Sequence, residues 1–379
     1  MRILNVSLDP QILSKESVAA ARAAAYGEAI TFYSVIVPSI KQDVVVLGAH
    51  TVAYGTGGST KVLQLWRMFL RARALLRSAK HDVITSQDAY FLGLLAWVLS
   101  TRYRCGLEIQ AHGIEKQTRI RTLLASFVFS RAHSIRVVST RLKQELIRVY
   151  AVSEDRIVVV PVYVDVSSLQ LSQASDDRTI QSAVSLSHGS VDQWYRNRLN
   201  ILSVGRLVPV KNISMQLQAV QQLRATFPNI LLHILGDGPL HTQLKIEIEE
   251  RGISNHVILH GHVTGQELGV FFSNCDCFIH TAHTEGFGMV LIEAAAAGLP
   301  IITTDVGCVG DIFLDKKNCM VVSPCDTNAL LHVLTHVLTD TPLRNAIARE
   351  ALQVQETLPS FTEIIEKYIA SWRRASYRV

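Results

Sequence analysis

Two glutamates eight positions apart, Glu285 and Glu293, flank a short glycine-containing loop in the stretch HTEGFGMVLIEAAAAGLP. The loop leads into Met289–Ala297, whose composition predicts a buried helix that ends at Gly298. The first backbone N–H groups of a helix have no partner within the helix, so such a loop suits a ligand that carries hydroxyls or phosphate. The loop residues concerned are Gly286, Phe287, Gly288 and Met289.

Two further loops carry glycines and charges after apolar strands. In SVGRLVPVKNI, Gly205 permits a tight turn, and Arg206 and Lys211 place two cations beside the next helix, an arrangement that suits a diphosphate. In HILGDGP, Gly236 and Asp237 occupy a turn where backbone can approach a ligand closely. Taken alone, the first loop is better explained as a surface turn with two solvated cations, and the second by ordinary turn chemistry.

Short β-rich runs alternate with helical patterns along the chain, which predicts parallel sheets covered on both faces. The predicted strands of the first half are Ile3–Ser7, Asp43–Leu47, Val83–Ser86, Leu107–Ala111, Ile135–Ser139 and Ile157–Val160. Those of the second half are Asn200–Val204, Ile230–Leu235, Val257–Leu259, Cys277–His280, Ile301–Thr304 and Met320–Val322. We therefore predict an α/β chain of two doubly wound, Rossmann-like domains that bind ligands at the carboxyl ends of their strands.

A polar, Ser-rich stretch interrupts this alternation and divides the chain of 379 residues. We predict an N-terminal domain at residues 1–165, a linker at 166–195 and a second domain at 196–355. Residues 356–379 are predicted as a C-terminal helix, a candidate for packing back on the N-terminal domain.

Charge is distributed unevenly between the two halves. Residues 1–165 contain 21 Lys/Arg and 12 Asp/Glu, a balance of +9, whereas the remainder has 16 and 20, a balance of −4. Nucleic acid, an anionic membrane or a phosphorylated substrate would each account for the excess. No nucleic-acid reader motif or array of stacking aromatics is present, so we predict no nucleic-acid partner.

Metal binding and disulfide bonds are not favoured by the cysteine pattern. The segment CDCFIHTAH offers Cys275, Cys277, His280 and His283, but its C-x-C spacing is not that of a usual structural zinc site. The N-terminal run lacks the features of a signal peptide, and the longest near-apolar run is about half the ~20 residues that a membrane span needs. We expect reduced thiols, a cytoplasmic location and no bound metal.

Four motifs occur jointly and in order: GRLVPVKN, LGDGP, EGFGMVLIEAAAAGLP and TDVGCVGDIF. In this combination the sequence resembles the retaining nucleotide-sugar glycosyltransferases of family 4, which have the GT-B fold. The resemblance covers most of residues 200–326. It is weaker over residues 1–165, where it comprises the strand-helix order and the AHG of residues 111–113. It implies two domains facing across a cleft, the first binding the acceptor and the second a UDP-, GDP- or ADP-sugar.

The resemblance also implies roles for particular residues. Arg206 and Lys211 would hold the donor diphosphate and stabilise the charge that grows as the sugar leaves. Glu285 would contact sugar hydroxyls, and Glu293 would accept hydrogen bonds from the ribose. The remaining donor-binding residues would be Gly205, Gly236, Asp237, Gly286, Phe287, Gly288 and Met289.

His112 would lie near the reacting carbon and hydrogen-bond the sugar or the departing phosphate; the alternative is a histidine that caps a helix or a loop. The leaving phosphate would accept the acceptor's proton, so no protein nucleophile is assigned. We expect no cofactor and no catalytic metal, because Arg206 and Lys211 supply the positive charge.

Two segments depart from the family pattern. No glycine occurs in the first loop, Ser7–Ser17, and Pro161–Asp165 reads PVYVD where a Pro-Asn-Gly-Val-Asp sequence is common. Both departures concern the acceptor side. The predicted function is sugar transfer to a glycan or lipid-linked acceptor in surface polysaccharide or glycolipid synthesis. The alternatives are a degenerate sugar-nucleotide-binding subunit and a nucleotide-sugar epimerase.

The helical segment Thr60–Lys80 is rich in cations and lacks acids. One interpretation is a helix with a solvated cationic face, and the other is contact with an anionic membrane surface, which would make the protein peripheral. The cations in question are Lys61, Arg67, Arg71, Arg73, Arg77 and Lys80, together with Arg119, Arg121, Arg131 and Arg136 further along the chain.

Overall fold

The computed structural model describes residues 1–113, 118–166, 197–263 and 265–376. The predicted linker lies outside these ranges apart from Val166. The chain divides into two compact units: Met1–Tyr163 together with Pro359–Val379, and Val164–Leu358.

The first unit contains a mostly parallel sheet flanked by helices. Its strands are β1 (Arg2–Val6), β2 (Phe32–Val37), β3 (Val44–Gly48), β4 (Thr51–Gly55), β5 (Val83–Ser86), β6 (Gly106–Ala111), β7 (Ser134–Val137) and β8 (Ile157–Val159). The connecting helices are α1 (Val18–Glu28), α2 (Lys61–Ser78), α3 (Phe91–Tyr103), α4 (Arg119–Arg131) and α5 (Thr140–Tyr150). The strand order over the described residues is β3-β4-β2-β1-β5-β6-β7-β8.

Local sequence explains where several of these helices begin. A Ser or Thr precedes each of four helices, and its side chain accepts the backbone N–H three residues later, which satisfies one of the free donors of the first turn. These capping residues are Ser17, Thr60, Thr118 and Ser139. Strands β1, β2, β5, β6 and β7 are buried from both faces, as their near-continuous apolar sequences predict.

The edge of this sheet differs from the prediction. The expected strand Asp43–Leu47 is present as β3, but it pairs antiparallel with β4, and both β2 and β4 were missed. Strands β3 and β4 form a hairpin, so no helix separates them. An apolar run of this length is compatible with either strand direction, and only the pairing partner decides between them.

The second unit contains a sheet in which every described strand pairing is parallel. Its strands are β9 (Leu199–Val204), β10 (Ile230–Leu235), β11 (Val257–Gly261), β12 (Cys277–His280), β13 (Ile301–Thr304) and β14 (Met320–Val322). Its helices are α6 (Ile213–Leu223), α7 (His241–Glu250), α8 (Gly265–Asn274), α9 (Met289–Ala296), α10 (Thr327–Thr339), α11 (Thr341–Leu352) and α12 (Val354–Thr357). The strand order is β11-β10-β9-β12-β13-β14. Strands β10, β12, β13 and β14 have the predicted bounds.

The last helix, α13 (Phe361–Ser376), belongs to the first unit and packs on β6 and β7. Its Trp372 is fully buried, and the indole Nε1 donates to Oε2 of Glu108 at 3.0 Å. Ser371 donates to the other carboxylate oxygen, and Thr85 donates to Oε2 at 2.5 Å. The buried Glu108 carboxylate therefore joins α13 to the sheet through several charge-assisted hydrogen bonds.

Arg136 supplies the compensating charge inside this unit. It is 3% exposed, its NH2 atom lies 3.6 Å from Oε2 of Glu108, and its guanidinium lies 3.6 Å from the ring centroid of Tyr368. The inclusion of Arg136 among surface cations was therefore wrong. Positions on a strand buried from both faces are core positions, and here a carboxylate and an aromatic ring make the charge tolerable.

No helix in the described part of the chain is both long and apolar enough to cross a bilayer.

Removing one partner of the buried pair should be costly. Arg136→Met leaves the Glu108 carboxylate without its cation, and we expect a loss of roughly 3–5 kcal/mol in unfolding free energy. Urea denaturation measures the change. The double variant Glu108→Gln/Arg136→Met is the control, because it leaves no buried charge and should be less destabilised than Arg136→Met. Equal stability of the single variant and the wild type would contradict the assignment.

Candidate active site

The strand order of the second sheet sets the position of the site. From β9 the chain proceeds through β10 and β11 to one edge, and it then returns to β12 and continues through β13 and β14 to the other edge. The order therefore reverses between the adjacent strands β9 and β12, and ligands of doubly wound sheets bind where the loops diverge at such a reversal. The loop after β9 carries Arg206 and Lys211, and the loop after β12 carries Glu285.

Glycines let the loops after β9 and β10 pack backbone against backbone. Gly236 has a φ of +131°, and a Cβ built there would lie 1.9 Å from the carbonyl oxygen of Gly205. A Cβ on Gly238 would lie 2.5 Å from the carbonyl oxygen of Leu207. The N–H of Gly205 donates to Leu235 at 2.9 Å. No other residue type fits at Gly236 without moving the Gly205 loop.

Lys211 is fixed through its backbone at the start of α6. Asn212, in the left-handed region at φ 51°, turns the chain into the helix, and its side chain donates to the carbonyl of Pro324 at 2.8 Å. The buried Thr281 hydroxyl reaches the Lys211 and Asn212 carbonyls at 3.2 and 3.1 Å. These contacts tie the β9 and β12 loops together behind the Lys211 side chain.

Lys211 and Glu285 form an ion pair between these two loops. The side chains are 16% and 23% exposed, so the pair is only partly hydrated. Burial raises the pKa of Glu285, but His280 and the Lys211 ammonium outweigh it and lower that pKa to about 2. Glu285 is therefore an anion at neutral pH, able to accept hydrogen bonds.

His280 is a site residue that the sequence analysis did not assign. It ends β12, is 3% exposed, and its Nε2 atom lies 3.4 Å from Oε2 of Glu285. Neither ring nitrogen has a hydrogen-bond partner of good geometry in the described structure. Desolvation lowers the pKa of His280, and the neighbouring Lys211 lowers it further against the opposing effect of Glu285. In the sequence, His280 was weighed only as a metal ligand. Its position at the end of a predicted strand, just before the Glu285 loop, could have indicated that it lies at the site.

The N-terminus of α9 lies directly after Glu285 and is open. Gly288 begins the helix at φ 89°, and no side chain caps it. The buried Phe287 holds the loop, because its carbonyl accepts the N–H of Cys308 at 2.8 Å. A Cβ on Gly307 would lie 2.3 Å from that carbonyl. The free N–H groups at this helix start carry the positive end of the helix dipole, which suits an anion.

Glu293 lies one turn further along α9, on the same side as the exposed Met289 because the two are four residues apart. Burial raises the pKa of Glu293. In the described residues it makes no salt bridge, in contrast to Glu285. Its carboxylate is thus held in a half-buried position without a charged partner.

The remaining predicted donor residues are placed as follows. Gly205 lies beside Lys211, since a Cβ on that glycine would be 3.8 Å from the lysine Nζ. Arg206 is exposed and makes no salt bridge within the described ranges. Asp237 is also exposed, and its carboxylate accepts the N–H of Gly238 at 2.7 Å. The structure thus pairs Lys211 with Glu285, which directly precedes the N-terminus of α9. Arg206, on the same loop as Lys211, and Asp237, on the loop after β10, form no ion pair with them in the described part of the chain.

His112 belongs to the other unit, where it follows β6. Part of its surface is accessible to solvent, yet desolvation by the surrounding protein and the charges of Arg136 and Arg22 lower its pKa to about 4. The imidazole is therefore neutral at pH 7, so that one ring nitrogen donates a hydrogen bond and the other accepts one.

The glycine-free first loop lies where the order of the first sheet reverses, between β1 and β5. Side chains hold it together: the Ser7 hydroxyl donates to Oε1 of Gln87 at 2.7 Å, and the N–H of Leu8 reaches the same oxygen at 3.1 Å. Asp9 caps the short turn that follows. Polar side chains thus satisfy the loop backbone.

No cluster of three or more potential metal ligands occurs in the part of the chain that the structure describes. All six cysteines are free thiols; Cys325 is exposed and the other five are buried.

Two family models match the chain. Residues 191–354 match the model described as Glycosyl transferases group 1, and residues 22–168 match the model described as Glycosyltransferase Family 4. The chain belongs to the group 1 glycosyltransferases. The two matched segments correspond to the second and first units, and the one in the second unit contains all four motifs that carried the resemblance.

Curated relatives of this glycosyltransferase match over part of their length. A glycogen synthase of Mycobacterium tuberculosis is 30% identical over 153 residues, which are 40% of this chain and 37% of the relative. A GDP-mannose-dependent alpha-(1-6)-phosphatidylinositol monomannoside mannosyltransferase of Mycolicibacterium smegmatis is 29% identical over 147 residues, or 37% and 38% of the two chains. The chain thus matches less than half the length of these relatives.

Solved structures resemble it over its whole length. Anabaena HepE in complex with UDP aligns with a TM-score of 0.74 and 17% identity, covering 98% of this chain and 99% of that one. Sucrose-phosphate synthase from Thermosynechococcus elongatus aligns with a TM-score of 0.78 and 15% identity over 100% of both chains. With two parallel-sheet units in the described structure, these likenesses confirm the predicted α/β, GT-B fold.

A methyl group at Gly236 should disrupt the donor loops. In Gly236→Ala the Cβ meets the Gly205 carbonyl, so we expect weaker nucleotide binding and a loss of more than about 2 kcal/mol in stability, since the positive φ alone costs roughly 1–2 kcal/mol. Gly261→Ala is the matched control: it also has a positive φ, but no atom lies within 4 Å of its Cβ. Urea unfolding and nucleotide titration measure both effects. Equal losses in the two variants would contradict the close loop contact.

The Lys211–Glu285 pair predicts an acid-sensitive contribution to stability. Because the folded pKa of Glu285 is about 2, below the ordinary glutamate value of 4.5, its contribution to stability is present above about pH 4.5 and is lost as the pH falls through 2. Glu285→Gln should be less stable than the wild type by on the order of 2 kcal/mol at neutral pH, and the difference should shrink in acid. Urea denaturation across this range measures it, with the exposed Glu249→Gln as control. A difference that does not change with pH would contradict the pairing.

Proposed function

We propose that the protein transfers a sugar from a nucleoside diphosphate donor to a glycan or lipid-linked acceptor, with retention of anomeric configuration. The observation that carries the proposal is the Lys211–Glu285 pair beside the uncapped N-terminus of α9, at the point where the strand order of the second sheet reverses. A cation, a set of free amides and a carboxylate within one crevice match the diphosphate and the hydroxyls of such a donor.

The donor would exchange partners with this ion pair. Its diphosphate would bind the Lys211 ammonium, the exposed Arg206 and the free N–H groups of α9. Glu285 would remain ionised and accept hydrogen bonds from sugar hydroxyls, while His280 keeps its carboxylate in place. Glu293 would accept hydrogen bonds from the ribose hydroxyls. These would give its half-buried carboxylate a polar partner, which compensates for its desolvation.

The proposed chemical step forms no covalent bond between the sugar and the protein. The bond between the anomeric carbon and the diphosphate oxygen breaks as the acceptor oxygen bonds to that carbon on the same face. The acceptor proton passes to the departing phosphate. Arg206 and Lys211 stabilise the charge that develops on the diphosphate, so we propose that the reaction is metal-independent and uses no cofactor. The neutral His112 would hydrogen-bond the sugar or the departing phosphate.

The activities for which two relatives are named support this substrate class. One solved relative is Anabaena HepE in complex with UDP-glucose, and the mycobacterial relative is named as a GDP-mannose-dependent transferase acting on a phosphatidylinositol mannoside. These names support a UDP- or GDP-sugar as the donor class and a glycolipid as an acceptor class. We further propose a role in surface polysaccharide or glycolipid synthesis at the inner face of the membrane.

A donor panel tests the activity. The protein is incubated with UDP-, GDP- and ADP-sugars, with and without membrane extract, and released nucleotide and labelled product are followed. Acceptor-dependent release with a labelled product supports transfer. Interconversion of the sugars would instead show that the protein is an epimerase. Donor binding without turnover would show that it is a sugar-nucleotide-binding subunit.

Single substitutions test the donor assignments. Lys211→Ala and Glu293→Ala each remove a charge-assisted contact worth about 1.5–3 kcal/mol, so we expect roughly 10- to 100-fold weaker donor binding by calorimetric titration. Lys245→Ala, at an exposed position of α7, is the matched control and should bind donor like the wild type. Unchanged affinity in both site variants would remove the assignments.

A further inference from the structure

The three consecutive helices α2, α3 and α4 contain no acidic residue. Over the same helices the sequence has nine cations: Lys61, Arg67, Arg71, Arg73, Arg77, Arg102, Arg119, Arg121 and Arg131. The absence of any acid means that no salt bridge within or between these helices offsets the charge. Helix α13, on the same unit, contrasts with them because it carries both Glu363 and Glu366 beside its cations.

The three helices form one continuous layer. The connections β4–α2–β5, β5–α3–β6 and β6–α4–β7 all advance in the same direction along the sheet, so right-handed crossovers place the three helices on one face. Helix α3 contacts both α2 and α4, and Trp97 packs edge-to-face on Phe127 at 4.8 Å between ring centroids. We call the outward surface of α2, α3 and α4 the basic face.

Large apolar side chains point to solvent among these cations. Val62, Trp66 and Leu70 recur every four residues along α2 and are 78%, 57% and 40% exposed. The buried side of that helix is formed by Met68 and Ala72 instead. In α4, Ile120 and Leu123 are 68% and 71% exposed, and Phe91 of α3 is 56% exposed. Exposed apolar side chains mixed with cations on adjacent helices are typical of a binding surface.

The apolar residues are concentrated at one edge of the unit. Val62, Phe91 and Ile120 are the second, first and second residues of their helices. Each of these helices starts after the carboxyl end of a parallel strand, so the three side chains lie along the edge of the sheet to which His112 also belongs. The apolar rim of the basic face therefore borders the strand ends at which this unit would bind its ligand.

We propose that the basic face docks on an anionic lipid bilayer, with the apolar side chains entering the headgroup region and the arginines and lysines contacting lipid phosphates. A nucleic acid or an acidic protein would satisfy the cations, but exposed aliphatic residues such as Val62, Leu70 and Leu123 gain little from a phosphate backbone. A bilayer offers both chemistries at the same depth. Docking would bring the carboxyl ends of the strands close to a lipid-linked acceptor. The identity of this acceptor rests on the proposed function.

Vesicle co-sedimentation tests the docking without any donor. We expect binding to vesicles of equal parts phosphatidylcholine and phosphatidylglycerol, weak binding to phosphatidylcholine alone, and release by salt. Lys61→Glu/Arg67→Glu alters two exposed cations and should weaken binding roughly tenfold or more. Arg373→Glu/Arg374→Glu, at exposed positions of α13, is the matched control and should bind as the wild type does.

Trp66 reports whether the surface meets lipid. Vesicles with brominated acyl chains should quench part of the tryptophan emission, and Trp66→Phe should abolish that part, although three other tryptophans remain. Equal binding to both vesicle types, equal weakening by the α13 control, or binding to duplex DNA without vesicle binding would overturn the proposal. Thermal protection by nucleotide sugars is measured on the same preparations. If nucleotide sugars give no thermal protection, the proposed function is contradicted. If they protect the protein but it does not bind vesicles, only the proposed membrane docking is contradicted.

Discussion

The ion pair between Lys211 and Glu285 is the interaction on which the proposed donor site depends. It joins the loops after two adjacent parallel strands, and it keeps a carboxylate ionised in a partly buried place where an isolated acid would tend to be neutral. The buried His280 lies 3.4 Å from the Glu285 carboxylate, and the Thr281 hydroxyl donates to the backbone carbonyl of Lys211. The pair therefore presents the charges that the proposed donor needs, and donor binding would replace one set of partners with another.

The two units share a strand order that reverses within the sheet, but their loops at the reversal are built differently. In the second unit, glycine loops pack backbone on backbone and leave helix amides free beside the ion pair. In the first unit, the side chains of Ser7 and Gln87 hydrogen-bond across the corresponding loops. The cations of this unit are concentrated on the helices α2, α3 and α4. The core of the first unit in turn depends on Glu108, which holds the C-terminal helix and balances the interior Arg136.

The regular parts of the fold were predictable because parallel strands buried on both faces leave a plain record in the sequence. Strands such as Cys277–His280 and Ile301–Thr304 were found with their observed bounds. The β3–β4 hairpin was not, since strand direction depends on a distant partner. In the site, the motif loops were located, but their contacts were not: sequence assigned Lys211 and Glu285 to separate groups of the donor, whereas the structure pairs them. His280 was not assigned to the site because only the approach of the following loop brings it next to Glu285. Arg136 was wrongly predicted to be a surface cation because the local sequence does not indicate the burial of a paired arginine.

The most direct measurement of the central claim is a crystal structure of the protein with a nucleoside diphosphate sugar. The account predicts the diphosphate against Lys211 and the first amides of α9, the ribose at Glu293 and sugar hydroxyls at Glu285, with the Lys211–Glu285 contact opened or shared with the ligand. A donor bound elsewhere, with that ion pair intact and the α9 N-terminus solvated, would contradict it.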